Sequence, residues 1–290
     1  VAPSADTHAV YEVLVKQTAP HVVVQPPALA AVKPPFVGRQ NEWQRLQAIW
    51  RKVAYRHTHF VVLSGEAGIG KTRLAEEFLD WAAQQGIHTA RACAYAAEGR
   101  LAYAPVIEWL RTASLKTNLL QLNDTWLTEL ARLLPELLTE RPGLPIPGAL
   151  TESWQRHRLF EALAKGLFTS QQPLLLLLDD LQWCDQETRA WLHFLLRYAS
   201  QAPLLLVSTI RTEDAAGDGL TDWLTDMQRH VELTTIALTP LTAQETTSLA
   251  TQMADGAVDP QLVNRLYQEA EGNPLFVVEM VRAGIRERGP

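Results

Sequence analysis

The chain has 290 residues, 47% apolar and 20% charged, with a formal net charge of -6. That is enough apolar chain to bury a full core, arranged as one large and one small domain, and it excludes a disordered protein; no stripe of Lys and Arg is long enough to follow a nucleic-acid backbone. The longest aliphatic run, Leu174 to Leu178, is walled by Pro173 and Asp179 and falls far short of the roughly 20 residues a membrane helix needs.

In chain order, residues 1–33 mix a Val-rich stretch with prolines at 20, 26 and 27 and read as an arm or linker. From Phe36 the pattern changes: Trp43, Leu46, Ile49 and Trp50 recur at helical spacing, and His59 to Ser64 reads as a buried strand running into a glycine loop. Leu74, Phe78 and Trp81 then line one face of a helix that stops at Gly86. A strand is expected over His88 to Cys93, followed by a helix-rich insertion from Pro105 to about Ser170.

Leu174 to Asp179 has the continuous apolar character of a central parallel strand covered on both faces. A helix over Glu187 to Ala199, a strand over Leu204 to Thr209, a helix over Leu220 to Arg229 and a strand over Val231 to Leu238 complete the alternation. The expected fold class is therefore α/β, a parallel sheet flanked by helices. From Pro240 the strands stop, Thr242 and Glu245 have capping-box spacing, and Asp259-Pro260 opens another helix. The expected division is an arm over 1–33, a P-loop nucleotide-binding domain over 34–239 and a small all-helical lid over 240–290.

The run Gly65-Glu66-Ala67-Gly68-Ile69-Gly70-Lys71-Thr72 fits G-x-x-x-x-G-K-[ST], placed after a strand and before a helix. Glycines let the backbone fold into a concave nest of N–H groups, and the helix adds its positive end. Lys71 supplies a point charge for the terminal phosphates and the Thr72 hydroxyl a magnesium position, and Arg73, in the first helical turn, is expected to join Gly65 to Thr72 in binding the nucleotide. The apolar strand ending in Asp179 and Asp180 delivers two carboxylates where open α/β sheets bind ligands. Asp179 is expected to hold magnesium and Asp180 to orient or deprotonate the attacking water, a solvated turn being the alternative.

Arg211, after another apolar strand, reads as a sensor of the γ-phosphate or else as a surface arginine. No lysine has Asn before it and Asp two residues after, so the guanine-reading motif is missing and adenine is favoured. Cys93 and Cys184 read as free thiols of a reducing cytosol. Trp183 reads as core, and His57 and His59 as solvent or packing histidines rather than metal ligands.

Taken together, these pieces resemble the STAND ATPases, signal transduction ATPases with numerous domains, a branch of the AAA+ class. Phe36-Val37-Gly38-Arg39 with Glu42 is similar to that family's opening motif, the P-loop follows, and Leu177 to Asp185 resembles its extended Walker B segment. Arg211 matches the sensor arginine, and Gly272-Asn273-Pro274-Leu275-Phe276 the G-x-P signature of the lid, although a purely structural helix junction would use the same residues. The resemblance covers residues from about 34 to 290.

It implies a nucleotide-binding oligomerisation domain of a bacterial LuxR-type or SARP-type regulator, with ATP or ADP and Mg2+ as cofactors. Val37, Gly38 and Arg39 would flank adenine and ribose, and Pro274 would pack on the base. It further implies slow ATP hydrolysis, self-association in the ATP form, and winged-helix, repeat-sensor and effector domains elsewhere in the protein. The start at Val1 and the stop after a helical pattern fit a piece of a longer chain, and the missing leader fits a cytoplasmic one. Arg100, Arg156 and Arg158 are candidate arginine fingers, and a remodelling or DNA-loading ATPase and a non-hydrolysing scaffold are the rival readings.

Overall fold

The apolar run Leu174–Asp179 forms the strand that organises the molecule. In the computed structural model, which describes residues 34–96, 101–170, 172–214, 219–254 and 259–287, it is β3 of a five-stranded, all-parallel sheet ordered β2-β3-β4-β1-β5. The other strands are β1 (His59–Gly65), β2 (His88–Cys93), β4 (Leu204–Arg211) and β5 (Leu233–Ala237). The chain divides between Pro34 and Pro35, and the sheet and its helices belong to the second unit; the expected arm over 1–33 lies outside the described residues.

Strand side chains alternate between faces, which is why a run of leucines suits β3. Leu174, Leu176 and Leu178 enter one core and Leu175 and Leu177 the other, all at most 1% exposed. Each such side chain contributes about 1.5–3 kcal/mol by leaving water. The first core is closed by α3 (Ala104–Arg111), α4 (Ala113–Leu119), α5 (Asp124–Leu130), α6 (Leu137–Glu140), α7 (Ser153–Leu167), α8 (Gln186–Tyr198) and α9 (Leu220–His230). Among these, Trp109 and Trp191 are fully buried, and their indoles donate to Leu177 O (2.9 Å) and Phe160 O (3.2 Å).

The second core is closed by α1 (Gln40–Val53) and α2 (Lys71–Gln84). Helix α2 stops where the spacing predicts: Gly86 takes φ 76 just beyond the cap and its N–H donates to Ala83 O. The insertion between β2 and β3 is helical as expected, with Pro105 in the first turn of α3. Strand β5 is shorter than expected, because Val231 N is still bonded to Met227 O at the end of α9.

After β5 the chain makes α10 (Ala243–Met253), α11 (Pro260–Ala270) and α12 (Pro274–Glu287), which pack around Leu241, Leu249, Leu266, Val277 and Val281. The predicted caps form. Thr242 N donates to Glu245 and Glu245 N to the Thr242 hydroxyl, while Asp259 caps α11 through Gln261 N. Among the described residues, no helix is long and apolar enough to cross a membrane.

Candidate nucleotide site

Parallel strands all end on one side, so β1, β3 and β4 deliver their C-terminal residues to a single edge. Beyond β1 the loop turns through left-handed glycines, Gly68 at φ 79 and Gly70 at φ 96. Gly70 is the N-cap of α2, and no side chain caps that helix, so its first N–H groups remain available to an anion. The buried Ile69 anchors the loop in the second core.

Lys71 is 6% exposed, and its Nζ donates to Gly65 O (2.8 Å) and Glu66 O (2.7 Å). Burial lowers its pKa below the usual lysine value, while the carboxylates of Glu213, Asp180 and Asp179 act the other way. Thr72 Oγ1 donates to Asp179 Oδ1 at 2.9 Å, and Thr209 Oγ1 donates to the same oxygen at 2.6 Å. Arg91 pairs with the other Asp179 oxygen at 3.5 Å. Asp179 is 4% exposed, a carboxylate buried with its acceptors taken up.

Asp180 adopts φ 55, a left-handed conformation uncommon outside glycine and best tolerated by Asp and Asn. That turn aims its carboxylate at Arg211, with Nε at 3.3 Å and Nη2 at 3.4 Å, and Gln182 Nε2 donates to it at 2.7 Å. Arg211 therefore reaches the site edge, paired with the second aspartate. Arg73 lies one residue beyond Thr72 and pairs with Glu77 along α2 at 2.6 Å.

The segment before α1 is built into the same neighbourhood. Val37 packs on the α10–α12 core, and Gly38 and Arg39 are both left-handed. The Arg39 guanidinium, 7% exposed, donates to Thr239 O (2.7 Å) and Ile69 O (2.8 Å) and pairs with Glu42 at 3.3 Å. Its donors tie the glycine loop after β1 to the stretch joining β5 and α10. Pro274 lies over Gly70, where an added Cβ would come 4.0 Å from Pro274 Cγ.

Several contacting residues escape a reading of the sequence. Asn273 Nδ2 donates to Ala67 O at 2.9 Å, and Leu275 N donates to Gly68 O at 3.3 Å. Gly68 is needed for this approach, because a Cβ there would come 2.8 Å from Asn273 Oδ1 and 2.9 Å from Leu275 Cβ. Glu213 accepts the Ala67 N–H at 3.1 Å, showing that this loop draws a carboxylate. Asn273 sits inside the G-x-P motif and Thr209 two residues before Arg211, so both had a nearby signal. Glu213 carries none.

Trp183 corrects the reading that made it core: it is 38% exposed, in the short helical turn after β3, beside Cys93, Tyr95 and Leu101. Of the two histidines, His57 is exposed and His59 buried against Glu232 and Thr234. Both cysteines are free thiols; burial and Asp179 push Cys93 up to about 11, and burial raises Cys184. Arg156 is paired with Glu187 and Arg158 with Glu129, while Arg100 lies outside the described residues.

The family model described as AAA ATPase domain matches residues 35–207, more than half the chain. The chain belongs to that family. Solved structures are similar to it as well. The ORC2 protein of Aeropyrum pernix, solved as ADPNP-ADP complexes, matches with a TM-score of 0.53 at 16% identity over 84% of this chain and 61% of that one. A RuvB mutant of Thermotoga maritima gives 0.48 at 13% identity, over 86% of this chain and 64% of that one. Domain III of the replication initiation protein DnaA from Thermotoga maritima gives 0.46 at 13%, over 86% and 83%. The match to ORC2 establishes the AAA ATPase fold, and this chain spans about three fifths of that protein. A search of curated proteins gives no match.

Proposed function

We propose that this AAA ATPase domain is an ATP/ADP switch of the STAND type, closed with ADP at rest, self-associating with ATP, and slow to hydrolyse it. The observation that supports this reading is the contact between the helical lid and the phosphate loop. Asn273 and Leu275 hold the carbonyls of Ala67 and Gly68, within the loop that would receive the phosphates. A lid that touches the loop backbone responds to which phosphates lie there, and differential contact with two ligands is what a switch requires.

The donor set fits a nucleotide with magnesium. Magnesium, when bound, neutralises charge on the phosphate oxygens. Thr72 and Asp179, already 2.9 Å apart, would hold it. Lys71 would turn its ammonium from the loop carbonyls toward the terminal phosphates. Asp180 would position and deprotonate water, and Arg211, now paired to Asp180, would change partner toward the γ-phosphate. Arg39, bonded to Ile69 O, and Pro274, beside Gly70, border the loop, and together with Val37 and Gly38 they would flank the adenine and ribose.

The test begins by denaturing the purified protein and identifying the released nucleotide, with ADP expected. Thermal melts with ADP and with ATP plus Mg2+ should then differ, and Asn273→Leu should bring the two shifts together. Steady turnover by a multimer, with no retained ADP, would favour a remodelling ATPase instead. Calorimetry showing no adenine-nucleotide uptake by folded protein would end both readings.

A further inference from the structure

On the face opposite α1 and α2, away from the phosphate loop, α8 and α9 lie together over the sheet and bury Trp191, Leu192, Leu195 and Met227 between them and the strands. Above this apolar contact, three metal-ligating side chains converge. Asp226 and His230 are four residues apart on α9, hence on one face of that helix. His193 comes from α8.

One ligand atom from each of the three lies within 4.8 Å of the others. Nδ1 of His193 and Nδ1 of His230 each stand 3.9 Å from an Asp226 oxygen, and the two rings are 5.7 Å apart between centroids. We propose that His193, Asp226 and His230 form a binding site for a divalent transition-metal ion, zinc above all, that bridges α8 and α9.

The chemistry of each ligand supports this. His230 Nδ1 is 3.0 Å from the carbonyl of Asp226. A carbonyl only accepts, so at rest Nδ1 carries the proton, and the metal is taken either by Nε2 or by Nδ1 with release of that proton. His193 Nε2 is buried with no hydrogen-bond partner, so the ring has little to give up on ligation.

Zinc bonds of about 2.0–2.2 Å in a tetrahedron need ligand atoms roughly 3.4 Å apart, so a closure of about 1.4 Å completes the site with water as fourth ligand. The side chains are 25%, 46% and 45% exposed, leaving solvent an entry path. Two imidazoles and a carboxylate favour zinc, copper or nickel over magnesium, so this site is chemically separate from the one at Thr72 and Asp179. Arg197 is the nearby cation working against occupancy.

The test uses the tag-free chain with Mg2+ in excess. Calorimetry is expected to show one equivalent of Zn2+ taken up, with a rise in melting temperature, and Co2+ is expected to give the visible bands of a four-coordinate site. His193→Ala and His230→Ala should each weaken Zn2+ affinity at least tenfold. Asp226→Asn, which retains the backbone carbonyl that orients His230, should weaken it with circular dichroism unchanged, which guards against variants that merely misfold. Absence of Zn2+ uptake, uptake displaced by Mg2+, or uptake unaltered in these variants would overturn the proposal.

Discussion

The ammonium of Lys71 is held between two carbonyls of its own loop, at 2.8 and 2.7 Å. Turned toward a phosphate oxygen, it would make charge-assisted hydrogen bonds of about 1.5–3 kcal/mol each, so Lys71→Ala should weaken ATP binding by roughly 10- to 100-fold in calorimetry. His59 carries a pH prediction. Burial lowers its pKa from 6.5, partly offset by Glu232, so the unfolded chain binds that proton more tightly than the folded one. Stability should therefore fall as pH drops below about 6.5 and level off once the folded pKa is passed. Urea titrations at several pH values should show a shallower fall for His59→Gln. At this scale the sequence reveals groups whose chemistry is local: Lys71, Thr72 and Asp179 are read from short motifs. Thr209 donating to Asp179, Ala67 N to Glu213 and Asn273 to Ala67 O are pairings across 30, 146 and 206 positions, and no local pattern encodes such partners.

Elements were more legible than residues. Strand β2 matches its expected bounds, and the caps at Thr242 and Asp259 form, because capping and alternation are short-range physics. The approach of the residues before α12 to the loop was hidden, since it depends on how Gly272 turns. Gly272 sits at φ 73, Leu241 N donates to its carbonyl at 2.8 Å, and a Cβ there would come 2.3 Å from Leu241 O. Gly272→Ala should cost about 2 kcal/mol or more through backbone strain and this contact. That corresponds to a fall of roughly 4–8 °C in melting temperature by calorimetry. Weaker nucleotide binding should accompany it, because Asn273 moves with the turn.

Across the whole molecule, the sheet order follows from the alternation of strands and helices only in part. Parallel pairing was readable, whereas the sequence β2-β3-β4-β1-β5 depends on which faces the crossover helices cover. That order sets β1 between β4 and β5, so the glycine loop after β1 lies one strand from the stretch leading into α10, and Arg39 bridges the two through Ile69 O and Thr239 O. During synthesis the loop is therefore made long before the residues that close over it. Contacts between chain segments some 200 positions apart form slowly, so the lid should settle onto the finished sheet as a late event. In stopped-flow refolding, ATP with Mg2+ should leave the early, sheet-forming phase unchanged and accelerate only the last one.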